Sequence, residues 1–143
     1  MNNFFKPLFE VTIDPESDPV LFHYLLSVVG FDSVDDESIV EQDIDLTTLP
    51  IDWDHDESPS YHYWIYYMWA NLQQLNVLRK QRDLNTFTLR PHSGESGSPG
   101  HLMSTFLLCD AINHGINLNE EPVLMYLYYL EQLPVSVSPL SNN

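Results

Sequence analysis

The second half of this chain alternates short strand-like apolar runs with segments whose apolar residues recur at helical spacing. Strands are predicted at residues 86–90, 111–114 and 135–137, with helices at residues 101–109 and 122–132 between them. Strands that alternate with helices in this way indicate parallel βα units. This alternation restricts the possible folds more than any other feature of the sequence, and it predicts an α/β protein.

The first half of the chain predicts one more strand and two more helices. Residues 8–13 alternate in polarity and include β-branched side chains, so they are predicted to form a strand. A helix is predicted over residues 20–29, with Asp18 as its N-cap and Pro19 at its first position. The longest helix is predicted over residues 60–82, which brings the chain to four predicted strands.

The chain is strongly acidic. It carries 21 Asp and Glu residues against five Lys and Arg residues, which gives a formal net charge of −16. Much of this charge falls in residues 32–58, which show no clean period and are predicted to form a long acidic surface loop. Because nucleic acids and anionic membranes are also negative, neither is expected as a partner.

Size and composition place the chain among small soluble domains. Its 143 residues suffice for one small domain with a core, and a hydrophobic share of 43% is too high for a disordered protein. No apolar run approaches the ~20 residues of a membrane span. The single cysteine, Cys109, fits a reducing compartment, and the first residues lack the layout of a signal peptide. We therefore expect a cytosolic protein.

Chemically capable residues stand where the predicted strands end. The first strand runs into Asp14, the second into His92 and Glu95, and the third ends at His114. In a (βα)8 barrel the catalytic residues lie at the carboxyl ends of the strands. Because four strands cannot close such a barrel, we expect a partial (βα)8 TIM barrel of about four consecutive parallel βα units, with residues 1–143 forming one piece of a larger catalytic barrel.

Three of these side chains form a set suited to metal-assisted hydrolysis. His92 is a candidate metal ligand, Glu95 a candidate acid, and His114 a candidate proton acceptor. Each also has an ordinary alternative, because a lone histidine after a strand is often structural and a lone glutamate in a turn is often solvated. A catalytic zinc site takes three protein ligands, so the partners of His92 must come from elsewhere.

Several segments resemble the AMP deaminases, a family of zinc hydrolases, and their sequences are most similar to those of the plant members. The most specific is Leu-Arg-Pro-His-Ser-Gly-Glu at residues 89–95, and His-Gly-Ile-Asn-Leu follows at residues 114–118. The others lie at residues 7–12, 28–38, 66–72, 122–124, 126–130 and 138–143, in the order that the family shows. The resemblance covers nearly the whole chain and implies a barrel of the amidohydrolase type.

The resemblance also implies a reaction and a set of roles. The reaction is the hydrolysis of AMP to IMP and ammonia, in which a zinc-activated water attacks C6 of the adenine ring. By resemblance, His92 corresponds to a zinc ligand, Glu95 to the acid that contacts the purine and protonates N1, and His114 to the proton acceptor for the water. Asn142 and Asn143 correspond to a substrate-binding motif near the site.

The resemblance is incomplete in ways that affect activity. The family's His-x-His pair on the first barrel strand and its Asp-Asp motif on the eighth strand are absent from this chain, so the zinc site is expected to be incomplete and the isolated chain inactive. The intact family is expected to form homo-oligomers. Two further hypotheses remain open: an inactive remnant that binds a full-length deaminase subunit, and an acidic interaction module centred on residues 32–58.

Overall fold

A helix, rather than the predicted strand, forms the start of the chain. The computed structural model describes residues 2–39, 47–54, 56 and 58–140, and its first helix, α1, spans Asn2–Ile13. The strand prediction for residues 8–13 is therefore wrong. Phe5, Leu8 and Val11 are buried along one side of the helix. Their helical spacing and burial outweigh the local preference of the β-branched residues for strand.

The other predicted helices are present with slightly different ends. Asp18 accepts a hydrogen bond from the Leu21 backbone N–H at 2.9 Å, so it caps the second helix as predicted, with Pro19 at the first position. The remaining helices are α2 (Pro19–Leu25), α3 (Tyr61–Lys80), α4 (Gly100–Leu108) and α5 (Pro122–Glu131), with 3-10 turns at Pro15–Ser17 and Ile116–Glu120. Among the described residues, no helix combines the length and hydropathy that a membrane span requires.

The strands are short, and every pair of them is parallel. They are β1 (Gly30–Phe31), β2 (Thr88–Leu89), β3 (His92–Ser93), β4 (Ile112–His114) and β5 (Val135–Ser136). β1 pairs with β2, and β3, β4 and β5 form a second sheet in that order. The predicted strands near residues 87, 112 and 136 are confirmed, and the parallel arrangement with them.

The two small sheets are joined through one extended stretch that contains β2 and β3. Pro91 lies just before β3 and has no N–H to donate, which interrupts the regular ladder. On one side of this stretch the His92 N–H donates to the Ser33 carbonyl at 2.9 Å, and on the other the Asn113 N–H donates to the Pro91 carbonyl at 2.9 Å. The chain therefore places four parallel strand positions side by side, and the α/β class is confirmed.

Two groups of buried apolar side chains hold these elements together. The larger group joins α1, α2 and α3 to β2, and it contains Phe5, Leu8, Val11, Leu25, Met68, Leu72, Leu75, Phe87 and Leu89. The smaller group joins α4, β4 and α5 through Leu102, Ile112, Leu118 and Tyr128. Because both groups pack against the strands, they fix the positions of the strand ends.

The acidic stretch at residues 32–58 contains no helix or strand in its described parts. Residues 40–46, 55 and 57 lie outside the described residues. Most described residues of the stretch are exposed or half-buried, in keeping with a surface loop, but Glu37 is only 7% exposed. A buried carboxylate in this loop was not predicted.

Candidate functional site

Three predicted site residues lie together at the carboxyl ends of β3 and β4. Ser93 in β3 is in register with His114 in β4, which places the two strand ends at the same edge of the sheet. The rings of His92 and His114 lie 4.8 Å apart between centroids. The Glu95 Oε2 lies 3.6 Å from the His114 Nε2. The two imidazoles and the carboxylate therefore lie close together at one edge of the sheet, as expected for side chains at neighbouring strand ends.

His92 is oriented by a carboxylate that lies at the carboxyl end of β1. Its Nδ1 lies 2.9 Å from the Asp32 Oδ1, and Asp32 directly follows β1. Because Nδ1 is occupied by this contact, Nε2 is the nitrogen that can bind a metal. A carboxylate on the second nitrogen is the usual partner of a metal-binding histidine, since it fixes the ring and raises its basicity.

His114 occupies a backbone conformation that side chains seldom adopt. Its φ is +74°, and the next residue, Gly115, has a φ of +63°. A non-glycine residue at positive φ costs on the order of 1–3 kcal/mol, and such residues cluster at functional sites. The His114 side chain is nearly buried, with 8% exposure, whereas the Glu95 side chain is 40% exposed. The strained backbone therefore aims a buried imidazole at a carboxylate that water can reach.

A second carboxylate holds the turn that carries Glu95. The Glu37 Oε2 accepts a hydrogen bond from the Gly94 N–H at 2.7 Å, and its Oε1 accepts one from the Glu95 N–H at 3.2 Å. The Nδ1 of His101, in α4, lies 2.9 Å from the same Oε2. Burial alone would raise the pKa of the Glu37 carboxyl, but these three hydrogen bonds outweigh it and hold the pKa below its ordinary value.

Tyr61, in the first turn of α3, supports both sides of this turn. Its hydroxyl donates to the His92 carbonyl, and its ring stacks on His101 with centroids 4.1 Å apart and planes 11° apart. Burial raises the pKa of Tyr61 far above its ordinary value, so the phenol remains a donor throughout the physiological range.

The donor set of the described residues is only partly suited to zinc. His92 provides one imidazole nitrogen of the kind that zinc prefers, with its other nitrogen fixed by Asp32. Across residues 2–39, 47–54, 56 and 58–140, no group of three His, Cys, Asp or Glu side chains could hold a metal ion. The chain thus fits as the source of one ligand, and the remaining ligands would have to come from outside its described part.

Three other residues singled out in the sequence are the two asparagines predicted to bind substrate and the single cysteine. Asn142 and Asn143 lie outside the described residues. Cys109 is a half-buried free thiol whose pKa burial raises to about 12, so it stays protonated and unreactive at neutral pH.

Sequence reasoning did not find Asp32, Glu37 or Tyr61. Asp32 obeys the same strand-end rule as His92, but β1 has only two residues and was not predicted as a strand. Glu37 is one acid among many in its stretch, and Tyr61 is one aromatic residue among many in its helix. No local pattern separates either from its neighbours, because their roles depend on contacts with distant segments.

Comparison with known proteins identifies close relatives over the whole chain. A sequence profile described as AMP deaminase matches residues 1–143. The AMP deaminase of Schizosaccharomyces pombe is 54% identical over 144 residues, which cover all of this chain and 17% of that protein. AMP deaminase 1 of Homo sapiens is 49% identical over 145 residues, and the AMP deaminase of Arabidopsis thaliana is 51% identical over 144 residues, covering 19% and 17% of those proteins. The chain thus spans about a fifth of the length of these relatives.

Proposed function

We propose that this chain, which belongs to the AMP deaminase family, supplies one part of a zinc-dependent site that hydrolyses AMP to IMP and ammonia. The names of its relatives support AMP as the substrate. Because the chain spans about a fifth of those proteins, the activity of a whole enzyme is part of the proposal. The observation that carries the proposal is the convergence of His92, Glu95 and His114 at one edge of a parallel sheet.

In this proposal His92 is the metal ligand of the chain. Its Nε2 would bind zinc while Asp32 holds the ring through Nδ1. Zinc at such a site acts as a Lewis acid that makes water a good nucleophile at neutral pH. The other zinc ligands would come from the first-strand His-x-His pair and the eighth-strand Asp-Asp motif that the family resemblance implies.

Glu95 and His114 would move the protons of the reaction. His114 takes a proton from the water as its oxygen forms a bond to C6 of the adenine ring, and Glu95 in its carboxylic acid form gives a proton to N1. The C6–N bond then breaks as the protonated His114 gives its proton to the amino group, which leaves as ammonia. Glu95 recovers a proton from the C6 hydroxyl, which becomes the carbonyl of IMP. The 3.6 Å between Glu95 and His114 is short enough for the two groups to act on N1 and C6, which are adjacent atoms of one ring.

The wider setting of the site follows from the same proposal. The four parallel strand positions correspond to about half of a (βα)8 barrel, with the site at the carboxyl ends of the strands as in other barrel enzymes. Asn142 and Asn143 would contact the substrate near this edge. We expect the complete enzyme to be homo-oligomeric, as the family resemblance implies, and cytosolic, as the single cysteine indicates.

A chimera tests this proposal directly. We would replace the matching segment of the S. pombe AMP deaminase by residues 1–143 of this chain, since the two are 54% identical over the full segment. The chimera is expected to release ammonia from AMP. Its Glu95→Gln variant is expected to lose about 10²- to 10⁴-fold in kcat, the usual contribution of a general acid.

Glu120→Gln provides the matched control, because Glu120 is an exposed acid just beyond β4. It should leave the rate unchanged. A chimera without ammonia release, or a Glu95→Gln variant as active as the control, would contradict the proposed function.

A second candidate function rests on apolar surface that the isolated chain leaves exposed. Val123, Tyr126, Tyr129 and Leu130 in α5 are between 55% and 74% exposed. Contiguous apolar surface often marks a protein contact. The chain would then be an inactive remnant that binds a full-length deaminase subunit. Co-purification with the intact S. pombe enzyme would support this alternative, and a monomer that ignores that enzyme would end it.

A further inference from the structure

Glu37 differs from the other described acids of its stretch in both burial and partners. The Glu37 side chain is 3% exposed, whereas that of Asp32 is 49% exposed. Removing a carboxylate from water is costly unless hydrogen bonds or an opposite charge compensate for it. A buried carboxylate inside a solvated acidic loop therefore needs a specific set of partners.

The partners of Glu37 are the backbone of the turn that carries Glu95. One oxygen accepts the Gly94 N–H at 2.7 Å and the other accepts the Glu95 N–H at 3.2 Å. Gly94 has a φ of +70°, which turns two successive N–H groups toward the same point. Such a concave pair of N–H groups is a common anion-binding arrangement, and here the anion is a side chain of the same protein.

The Glu37 backbone also lies against the far end of the same turn. A Cβ on Gly97 would lie 1.8 Å from the Glu37 carbonyl oxygen, so this approach is possible only for glycine. His101 closes the arrangement from α4, with its Nδ1 2.9 Å from Glu37 and its side chain 4% exposed. Glu37 therefore contacts both the turn at residues 94–97 and His101 of α4, and it fixes the position of the turn relative to this helix.

Glu95 projects from this turn toward His114. Its side chain is 40% exposed, and its Oε2 lies 3.6 Å from the His114 Nε2. The backbone at Gly94 and Glu95 sets the position and direction from which this side chain leaves the turn. The backbone N–H of Glu95 is the group that Glu37 binds.

We propose that Glu37 is a positioning residue for Glu95, and that its carboxylate holds the Gly94–Glu95 backbone in the orientation that turns the Glu95 carboxylate toward His114. This inference rests on the proposed function, because it assumes that Glu95 acts on the substrate. Glu37 itself is enclosed by protein groups and does not meet the reacting atoms.

The test is a double-mutant cycle in the chimera. Glu37→Gln keeps the shape of the side chain but loses the charge and one acceptor. It is expected to lower kcat by about 10- to 100-fold, since a displacement of about 1 Å can cost that much. In the Glu95→Gln background the same change is expected to cost less than about threefold, because the acid that Glu37 positions is already absent.

A purely structural role for Glu37 would give a different pattern. Glu37→Gln would then reduce kcat by the same factor with or without Glu95, and that result would overturn the proposal. Asp35→Asn is the matched control, because it removes one charge from an exposed residue of the same stretch. Equal rates for Glu37→Gln and Asp35→Asn would also overturn the proposal, while the loss in Glu95→Gln alone would still support the proposed function.

Hydrogen exchange provides a second measurement that does not depend on activity. The amides of Gly94 and Glu95 should exchange faster in Glu37→Gln than in the parent chimera, and Asp35→Asn should match the parent. If the Glu37→Gln variant fails to fold, Glu37→Asp retains the charge on a side chain one methylene shorter. It should show the same local loss of protection, and unchanged protection at residues 94 and 95 would contradict the proposal.

Discussion

At the scale of single residues, the contact between His92 and Asp32 determines which nitrogen of the histidine can bind zinc. Without the Asp32 carboxylate the ring would lose its fixed orientation. We therefore predict that Asp32→Asn lowers the zinc affinity of the chimera by about 10- to 100-fold, the usual effect of losing such a partner. Competition with a metal chelator measures this affinity.

The control for this prediction is again Asp35→Asn, which removes the same charge three residues away and is expected to leave zinc affinity unchanged. Equal affinities in the two variants would mean that Asp32 does not act on His92. They would also count against His92 as a ligand.

Candidate site residues at strand ends can be predicted from the sequence, whereas a residue that supports them from a distant segment cannot. His92, Glu95 and His114 could be found because each stands at or just after the end of a predicted strand, where an imidazole or carboxylate is informative. Glu37 could not be found, because its burial depends on a turn almost 60 residues further along the chain. Hydrogen bonds over such a separation leave no local period.

At the scale of elements, the turn after β3 requires glycine at two positions. Gly94 and Gly97 have φ values of +70° and +68°, and the Glu37 carbonyl closely approaches Gly97. We predict that Gly97→Ala destabilises the chimera by about 1–3 kcal/mol through overpacking and unfavourable φ. Thermal unfolding would show this as a lower melting temperature.

Gly100→Ala is the corresponding control. Gly100 begins α4, and the nearest atoms to an added Cβ there are side-chain atoms at 3.2 Å or more. Alanine also has the higher helix propensity. The control variant should melt at or slightly above the temperature of the parent, and a Gly97→Ala variant that does the same would contradict the account of the turn.

The strand predictions show why elements are easier to count than to place. Residues 8–13 have the composition of a strand, yet Phe5, Leu8 and Val11 are buried along a helix. The fourth strand position is instead occupied by β1, Gly30–Phe31, which is too short to produce an alternating pattern. The helix predictions were more accurate than the strand predictions. A cap such as Asp18 bonds within its own turn, so the start of its helix can be predicted from a few neighbouring residues.

At the scale of the whole molecule, the isolated chain should lack activity. A catalytic zinc site uses three protein ligands, and among the described residues His92 is the one placed to contribute. We predict that the purified 143-residue chain releases no ammonia from AMP in the presence of zinc, under conditions in which the chimera is active. Zinc-dependent ammonia release by the chain alone would contradict this prediction.

The central claim is that the edge of the sheet formed by β3 and β4 is part of an AMP-deaminating site, and kcat of the His114→Asn chimera tests it most directly. Asparagine readily adopts positive φ, so this change removes the imidazole without adding backbone strain. His23→Asn, at an exposed position of helix α2, is the control. We predict a loss in kcat of at least about 100-fold with zinc retained. A His114→Asn chimera as active as the His23→Asn control would contradict the account.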